Sequence, residues 1–394
     1  MKLAEKTKMV SASYTIGIST KVNEMNEMGR DIINLSVGEP DVNIPEKAKK
    51  SILAALDNNY TKYDKVPGLV QLRKAIAEKL KVENGLDYSL EEIVVTNGAK
   101  QAIMNTLSAV VNPGEEVIVL VPYWTSYPEI IKLCGCVPVI VYPENKKEYK
   151  ITIEDIKKAV TEKTKMLFFN NPSNPAGIVY TKEEVKEIAE FCLEHKIWIM
   201  SDEIYERFCF DGDFISTASI SEEIKNITIL VNGLSKSAAM TGLRIGYTAS
   251  SKEVAKAISV MQGHLTSHPS TISQWAASTA LTECRDEINA QLDVFRQRRG
   301  LMMENLKRFE NIDYLEPKGA FYIMVNFGAY KDKIPHEGSF SLALCEKMLE
   351  EAEVAAVPGI AFGLDDYVRI SYAVSTENLE KGLERIEKFV NSLK

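Results

Sequence analysis

The sequence predicts an α/β fold with a large, mainly parallel seven-stranded sheet and a smaller α/β unit beside it, on three observations. Between about residues 45 and 285, short apolar, β-branched runs alternate with amphipathic helical stretches. Several of those runs are apolar on consecutive positions, as strands buried on both faces of a parallel sheet are. After about residue 285 strands become fewer and helices longer. The expected division is a larger unit at 45–285 and a smaller one built from 1–44 together with 286–394.

Seven runs read as strands: EIVVT (92–96), EVIVLV (116–121), VPVIV (137–141), KMLFFN (165–170), IWIMS (197–201), ITILVN (227–232) and RIGYT (244–248). Between the fourth and fifth lies TKEEVKEIAEFCLEHK, a well-marked helix. Thr181 and Glu184 have capping-box spacing, and Val185, Ile188, Ala189 and Cys192 make an apolar stripe. Strand, helix and strand in alternation imply crossovers that cover both sheet faces. Downstream, EINAQLDVFRQRRGLMMENLKRF reads as a long helix whose Arg296, Arg298 and Arg299 form a solvated, ion-paired face. AFYIMVNF follows as a strand, FSLALCEKMLEEA as a helix, YVRISYA as a strand and TENLEKGLERIEKFVNSLK as a closing helix. No Ser/Gly-rich linker, low-complexity stretch or internal repeat interrupts the chain.

Composition narrows the function classes. A formal net charge of -8 over 394 residues argues against nucleic acid or an anionic membrane as partner, since both are held by clustered Lys and Arg. Lys2, Lys6 and Lys8 precede MVSASYTIGIS, which is too polar for a signal-peptide core, and no window approaches the ~18 apolar residues of a membrane span. A cytoplasmic protein is expected. Six cysteines make no disulfide framework. Cys134 and Cys136, with C-x-C spacing, read as two core residues on one face of a strand. His195, His264, His268 and His336 match no metal-ligand spacing, so no metal site is expected.

In open α/β sheets ligands bind outside the carboxyl ends of the strands. Those ends read NGAK (97–100), PYW (122–124), NNPSNPAG (170–177), SDEIYE (201–206) and NGLSK (232–236). Together they offer an anion cradle, an aromatic plate, an amide donor, a carboxylate with a phenol, and an amine. Such a set could hold an aromatic ring bearing a phosphate and an aldehyde. Lys236 has no charged neighbour and sits among serines, alanines and glycines. Taken alone it is compatible with an ordinary helix-start lysine, as Asp202 is with a helix N-cap.

The segments SVGEPD, NGAKQA, PYWTSYPE, NPSNPAG, SDEIYE, SKSAAMTGLRIGY, PKGAFY, VPGIAFG and YVRISYA occur in this order. The chain thereby resembles the class I pyridoxal-phosphate (PLP) aminotransferases of fold type I, in their aspartate aminotransferase-like branch, from about Ser36 to the C-terminal helix. The resemblance implies a ping-pong aminotransferase with PLP as cofactor. Lys236 would condense with the PLP aldehyde and then shuttle the proton at the substrate α-carbon. Asp202 would pair with the pyridinium nitrogen, Tyr205 and Asn174 would donate to the phenolic oxygen, and Trp124 would stack on the ring. Gly98, Ala99 and Lys100 would cradle the phosphate with Ser235 and Arg244. Tyr63 would reach the phosphate of a neighbouring subunit, which implies a homodimer with shared sites. Gly233 stands where many relatives carry a phosphate-contacting serine, so that hydrogen bond is expected to be missing. Arg369 would take the substrate α-carboxylate together with the Gly38 backbone.

For a dicarboxylate substrate the resemblance points to Lys100 as the distal cation, with Ser13 and Thr15 on an N-terminal segment that closes over it. L-aspartate and L-glutamate are then the expected amino donors, with 2-oxoglutarate and oxaloacetate as acceptors. Aromatic or aliphatic amino acids stay open as substrates, as does PLP-dependent C–S β-elimination on the same residues. A transcription regulator built on such a domain would need an N-terminal winged helix, for which a match beginning near Ser36 leaves no room.

Overall fold

The computed structural model of the chain describes residues 2–393. An N-terminal helix at Tyr14–Glu27 leads into a two-residue strand, β1 (Ile33–Asn34). The seven expected strands then all form: β2 (Ile93–Asn97), β3 (Glu116–Leu120), β4 (Val137–Val141), β5 (Thr164–Asn170), β6 (Trp198–Asp202), β7 (Thr228–Gly233) and β8 (Ile245–Ala249). They make one sheet in the order β2-β8-β7-β6-β5-β3-β4. Neighbours from β4 through β7 run parallel, whereas β8 is antiparallel to both β7 and β2. The carboxyl ends of β2, β3, β5, β6 and β7 therefore share one edge with the amino end of β8.

Alternation along the strands splits the core into layers. Val94, Val117, Val119, Phe168 and Val231 face the helices Gly98–Val110, Ser126–Leu133 and Lys252–Leu265. The opposite residues pack on two other helix pairs: Ile93, Val95 and Leu230 on Val70–Asn84 and Thr271–Glu283, and Ile118, Leu167 and Ile199 on Ile153–Ala159 and Lys182–Glu194. The last helix begins as its sequence demands. Thr181 and Glu184 cap it reciprocally, and Val185, Ile188, Ala189 and Cys192 are buried.

The rest of the chain forms β9 (Asp313–Leu315), β10 (Tyr322–Asn326), β11 (Val354–Ala355), β12 (Val357–Pro358) and β13 (Tyr367–Ser371). An antiparallel sheet runs β12-β13-β10-β9, while β1 pairs in parallel with β11, Ile33 opposite Val354. The helices Arg285–Leu306, Phe340–Glu351 and Thr376–Ser392 cover these strands. Their common core contains Phe321, Tyr322, Phe340 and Ile386, but also Leu35 from the N-terminal segment and Ile204, Tyr205 and Phe208 from beyond β6. A second core thus meets the large sheet where its strands end.

Two expectations change. Cys134 and Cys136 are not on a strand: Cys134 closes the helix Ser126–Leu133, Gly135 turns the chain at φ 77°, and Cys136 precedes β4. Only Arg296 lies on a solvated face, paired with Asp293. Arg298 and Arg299 are 7% and 8% exposed, because helix Arg285–Leu306 presses that side against two loops. Arg298 forks onto Asp41 at 2.7 and 2.9 Å, and Arg299 bonds Asp211 and the Pro317 carbonyl. A bidentate pair satisfies the charge that burial would otherwise penalise.

Candidate active site

A cavity of about 460 Å³ opens at the shared strand edge. Because the strand order differs from the chain order, residues distant in sequence line up across it. After β2 comes the turn into helix Gly98–Val110; beside it lie Arg244 at the start of β8, then Ser235 and Lys236 after β7. Asp202 and Tyr205 follow β6, Asn174 follows β5, and Trp124 follows β3.

One end of the cavity is built to receive an anion. Helix Gly98–Val110 has no side-chain cap at Asn97, so its first N–H groups and the positive end of its dipole are available. Arg244 adopts the left-handed conformation, φ 58°, which is uncommon for arginine and is held here by the strand that follows. Its Nη1 donates to the Thr241 carbonyl at 2.8 Å, and its Nη2 lies 2.5 Å from where a Cβ on Gly98 would sit. The guanidinium therefore lies over the helix start. Gly246 lets this happen, since a Cβ there would overlap the Ala99 nitrogen and the Gly98 carbonyl carbon. Gly246→Ala is expected to lower stability by about 2 kcal/mol and to weaken binding of a phosphate-bearing ligand at least tenfold, read by thermal unfolding and equilibrium dialysis. Gly233 is similarly required: a Cβ there would lie 2.7 Å from the Ile245 carbonyl oxygen, so a serine could enter only by parting β7 from β8.

The centre holds an amine and a carboxylate. Lys236 Nζ donates to the Gly38 carbonyl at 2.5 Å. Burial lowers its pKa to about 8, with Arg369 and Arg244 pushing the same way and Glu39 and Asp202 opposing. Such an amine is substantially neutral near pH 8 and thus nucleophilic. Asp202, 4% exposed, accepts from Tyr127 Oη at 2.6 Å and from the Ile204 N–H at 3.2 Å. It makes no ion pair among the described residues, and burial lifts it to about 6. A buried carboxylate raised in this way fits a cationic ring N–H that would occupy the cavity. Tyr205 Oη, 3.4 Å from Asn174 Nδ2 and 3.0 Å from Tyr322 Oη, closes this wall.

At the other end, β13 carries Arg369, 2% exposed. Its Nη1 donates to Asn174 Oδ1 at 3.1 Å and its Nη2 to the Ser36 carbonyl at 2.9 Å, while Nε is buried without a partner. No carboxylate pairs with it among the described residues. Burying a cation without a counter-ion carries a penalty of several kcal/mol, which a carboxylate ligand in the cavity would relieve.

A family model for aminotransferase class I and II matches residues 30–386. The chain belongs to this family. Over 394 residues it is 42% identical to a probable aspartate/prephenate aminotransferase of Aquifex aeolicus, covering 99% of both chains. It is 39% identical to an aspartate aminotransferase of Geobacillus stearothermophilus, covering 100% of both. Among solved structures, an aspartate aminotransferase from Rhizobium meliloti superposes with a TM-score of 0.94 at 37% identity, covering 99% of both chains. One from Thermus thermophilus with maleate gives 0.93 at 38%, covering 98% of this chain and 99% of that one.

In this aminotransferase most of the residues singled out by sequence converge on one cavity: Lys236, Asp202, Tyr205, Asn174, Trp124, Ala99, Lys100, Ser235, Arg244, Arg369, Gly38 and Thr15 line it. Gly98 lies just behind, under the Arg244 guanidinium. Two residues stand elsewhere. Ser13 bonds Thr15 at 3.0 Å but faces a separate groove. Tyr63 is 92% exposed and rests edge-on against His268, away from its own chain's cavity. Sequence reasoning missed Tyr127 and Tyr322, which hold Asp202 and Tyr205. It also missed Ile16, Ser19, Thr20 and Asn23 on helix Tyr14–Glu27. Their spacing of three, four and seven residues from Ile16 was the available signal. Among the described residues no group of His, Cys, Asp or Glu side chains could hold a metal ion, and no helix is long and apolar enough to cross a membrane.

Proposed function

We propose that this aminotransferase binds PLP and moves the amino group of L-aspartate or L-glutamate to 2-oxoglutarate or oxaloacetate, in ping-pong order. The observation that carries the reading is Arg369, a buried guanidinium with no carboxylate partner, facing the same cavity as the half-buried, acidified amine of Lys236. The residues present suit the cofactor. Asp202 would meet the pyridinium nitrogen, Tyr205 and Asn174 the phenolic oxygen, and Trp124 the ring face. Ser235, Arg244 and the N–H groups of Gly98, Ala99 and Lys100 would hold the phosphate, joined by Tyr63 from a second copy in a homodimer. The exposure of Tyr63 supports that last role. We further propose a cytoplasmic protein of two units, 45–285 and 1–44 with 286–394, with the cavity at their junction.

When bound, PLP supplies an aldehyde carbon for the amino group and a conjugated ring that accepts electron density from the substrate α-carbon. The protein does the rest. Arg369 orients the α-carboxylate through a forked contact while Asn174 and the Ser36 carbonyl keep the guanidinium in plane. Lys236 Nζ, freed from the Gly38 carbonyl, takes the proton from the α-carbon and later returns it. The first oxo acid leaves, and a second oxo acid receives the retained nitrogen by the reverse steps.

Lys100 supports dicarboxylate preference. Its Nζ lies 5.0 Å from the Trp124 ring centroid at the cavity wall, and burial together with Arg244 lowers its pKa. Lys100→Ala is expected to raise KM for aspartate and glutamate about tenfold or more while leaving alanine turnover unchanged. An equal loss for alanine rejects this role. The relative named for prephenate as well as aspartate favours a second acceptor, prephenate, itself a dicarboxylic oxo acid. The direct test of the whole reading is the PLP-loaded protein with L-aspartate and 2-oxoglutarate. Oxaloacetate and glutamate should form in equal amounts, whereas release of a thiol, pyruvate and ammonia from a cysteine S-conjugate would indicate β-elimination.

A further inference from the structure

At the cavity wall, one side chain touches both the Arg369 end and Tyr205, and the proposed function gives it no part in recognition. Tyr322 lies on β10, opposite Ser371 of β13, so its ring is delivered next to Arg369 by strand register. The Arg369 guanidinium carbon stands 4.3 Å from the Tyr322 ring centroid, and the Phe362 ring lies 5.1 Å away. The same tyrosine places its hydroxyl 3.0 Å from that of Tyr205. It is buried and lines the cavity.

Hydrogen-bond accounting fixes what that hydroxyl does. Arginine only donates, so Asn174 presents its oxygen to Arg369 and its amide hydrogens toward Tyr205. The Tyr205 oxygen therefore accepts from Asn174. Were an acceptor in the cavity to take the Tyr205 proton, the Tyr322 hydroxyl, which has no other hydrogen-bond partner among the described residues, would donate to the Tyr205 oxygen. Two donors onto one phenol oxygen make that phenol a stronger donor.

We propose that Tyr322 is a positioning residue that couples the two recognition ends, its ring holding Arg369 flat for a carboxylate and its hydroxyl strengthening Tyr205 as a donor to the cofactor. This rests on the roles proposed for Arg369 and Tyr205. The titratable and charged groups facing Tyr205 are Asp202, Tyr127, Arg369 and Tyr322 itself. Of these Tyr322 alone is hydrogen-bonded to the Tyr205 hydroxyl, and phenylalanine in its place removes that bond while keeping the ring.

The test uses full-length PLP-loaded protein, a pH titration of its visible absorption band, and succinate as a non-reacting dicarboxylate. Tyr322→Phe keeps the ring and removes the donor. The band's protonation midpoint should rise by about half a unit, because a weaker Tyr205 stabilises the electron-rich, deprotonated form less, and succinate affinity should stay within about twofold. Tyr322→Leu removes the ring as well and should weaken succinate about tenfold. Either variant behaving as wild type overturns the coupling. If Tyr322→Leu does not fold, Tyr322→Phe decides alone, and an unchanged midpoint sinks the proposal. A wild-type protein that shows no visible band or no succinate binding overturns the underlying assignment of the site instead.

Discussion

Lys236→Ala should abolish transamination, with turnover falling about 10⁴-fold or more, in a protein that still folds. The size of the effect follows from the two roles proposed for Lys236 being lost together: the amine that would hold the cofactor aldehyde and the base that would move the α-proton. Neither has a substitute nearby, since the other cations lining the cavity are Lys100, Arg244 and Arg369, which sit at its ends. Folding should survive because the lysine amine is itself a partly desolvated group whose burial opposes the charged form. Alanine removes that tension and leaves only the Gly38 carbonyl without its donor. Thermal unfolding within a few degrees of wild type, together with absent oxo-acid formation, meets the expectation. Turnover within tenfold of wild type would reject the assignment. An independent reading comes from amine-reactive labelling of the cofactor-free protein: Lys236 should label with a midpoint near pH 8, below ordinary lysines.

Arg369→Leu carries the second large effect, and it has an unusual signature. kcat/KM for aspartate should fall about 10³-fold, the scale measured when one partner of a buried charge pair is removed. Arg369→Lys should recover little of it, because an ammonium cannot reproduce the fork. Stability should move the other way. Arg369 is buried without a carboxylate, so leucine in its place should hold or raise the melting temperature of the ligand-free protein. An arginine kept for structure would show the reverse pattern: a large drop in melting temperature with activity per folded molecule preserved.

Local signals carried the large sheet well. Each of the seven runs became a strand within about two residues of its expected bounds, because continuous β-branched segments have no other way to bury both faces. Helix Tyr14–Glu27 was not legible as a helix, since only Val22 and Met25 are buried on it and its cavity face is polar. Arg298 and Arg299 read as surface residues because their partners, Asp41 and Asp211, lie 257 and 88 residues away. Tyr322 escaped notice for the same reason. An apolar strand signal says that a tyrosine is buried, and nothing in it says which hydroxyl it meets.

The sequence alone determined the α/β class, the seven strands, the capped helices and the identity of the residues at the strand ends. These depend on periodicity, capping and turn chemistry, which act over a few positions. Only the tertiary structure decided how those ends meet. Arg244 reaches the anion end because β8 runs antiparallel, which brings its amino end to the edge where its neighbours finish. Lys236 and Asp202 share a cavity because β6 and β7 pair in parallel, and Arg369 faces them because a second core packs Tyr205 and Phe208 against β10 and β13. Strand direction and core packing are long-range outcomes of burying the whole chain at once, so no local window of residues contains them.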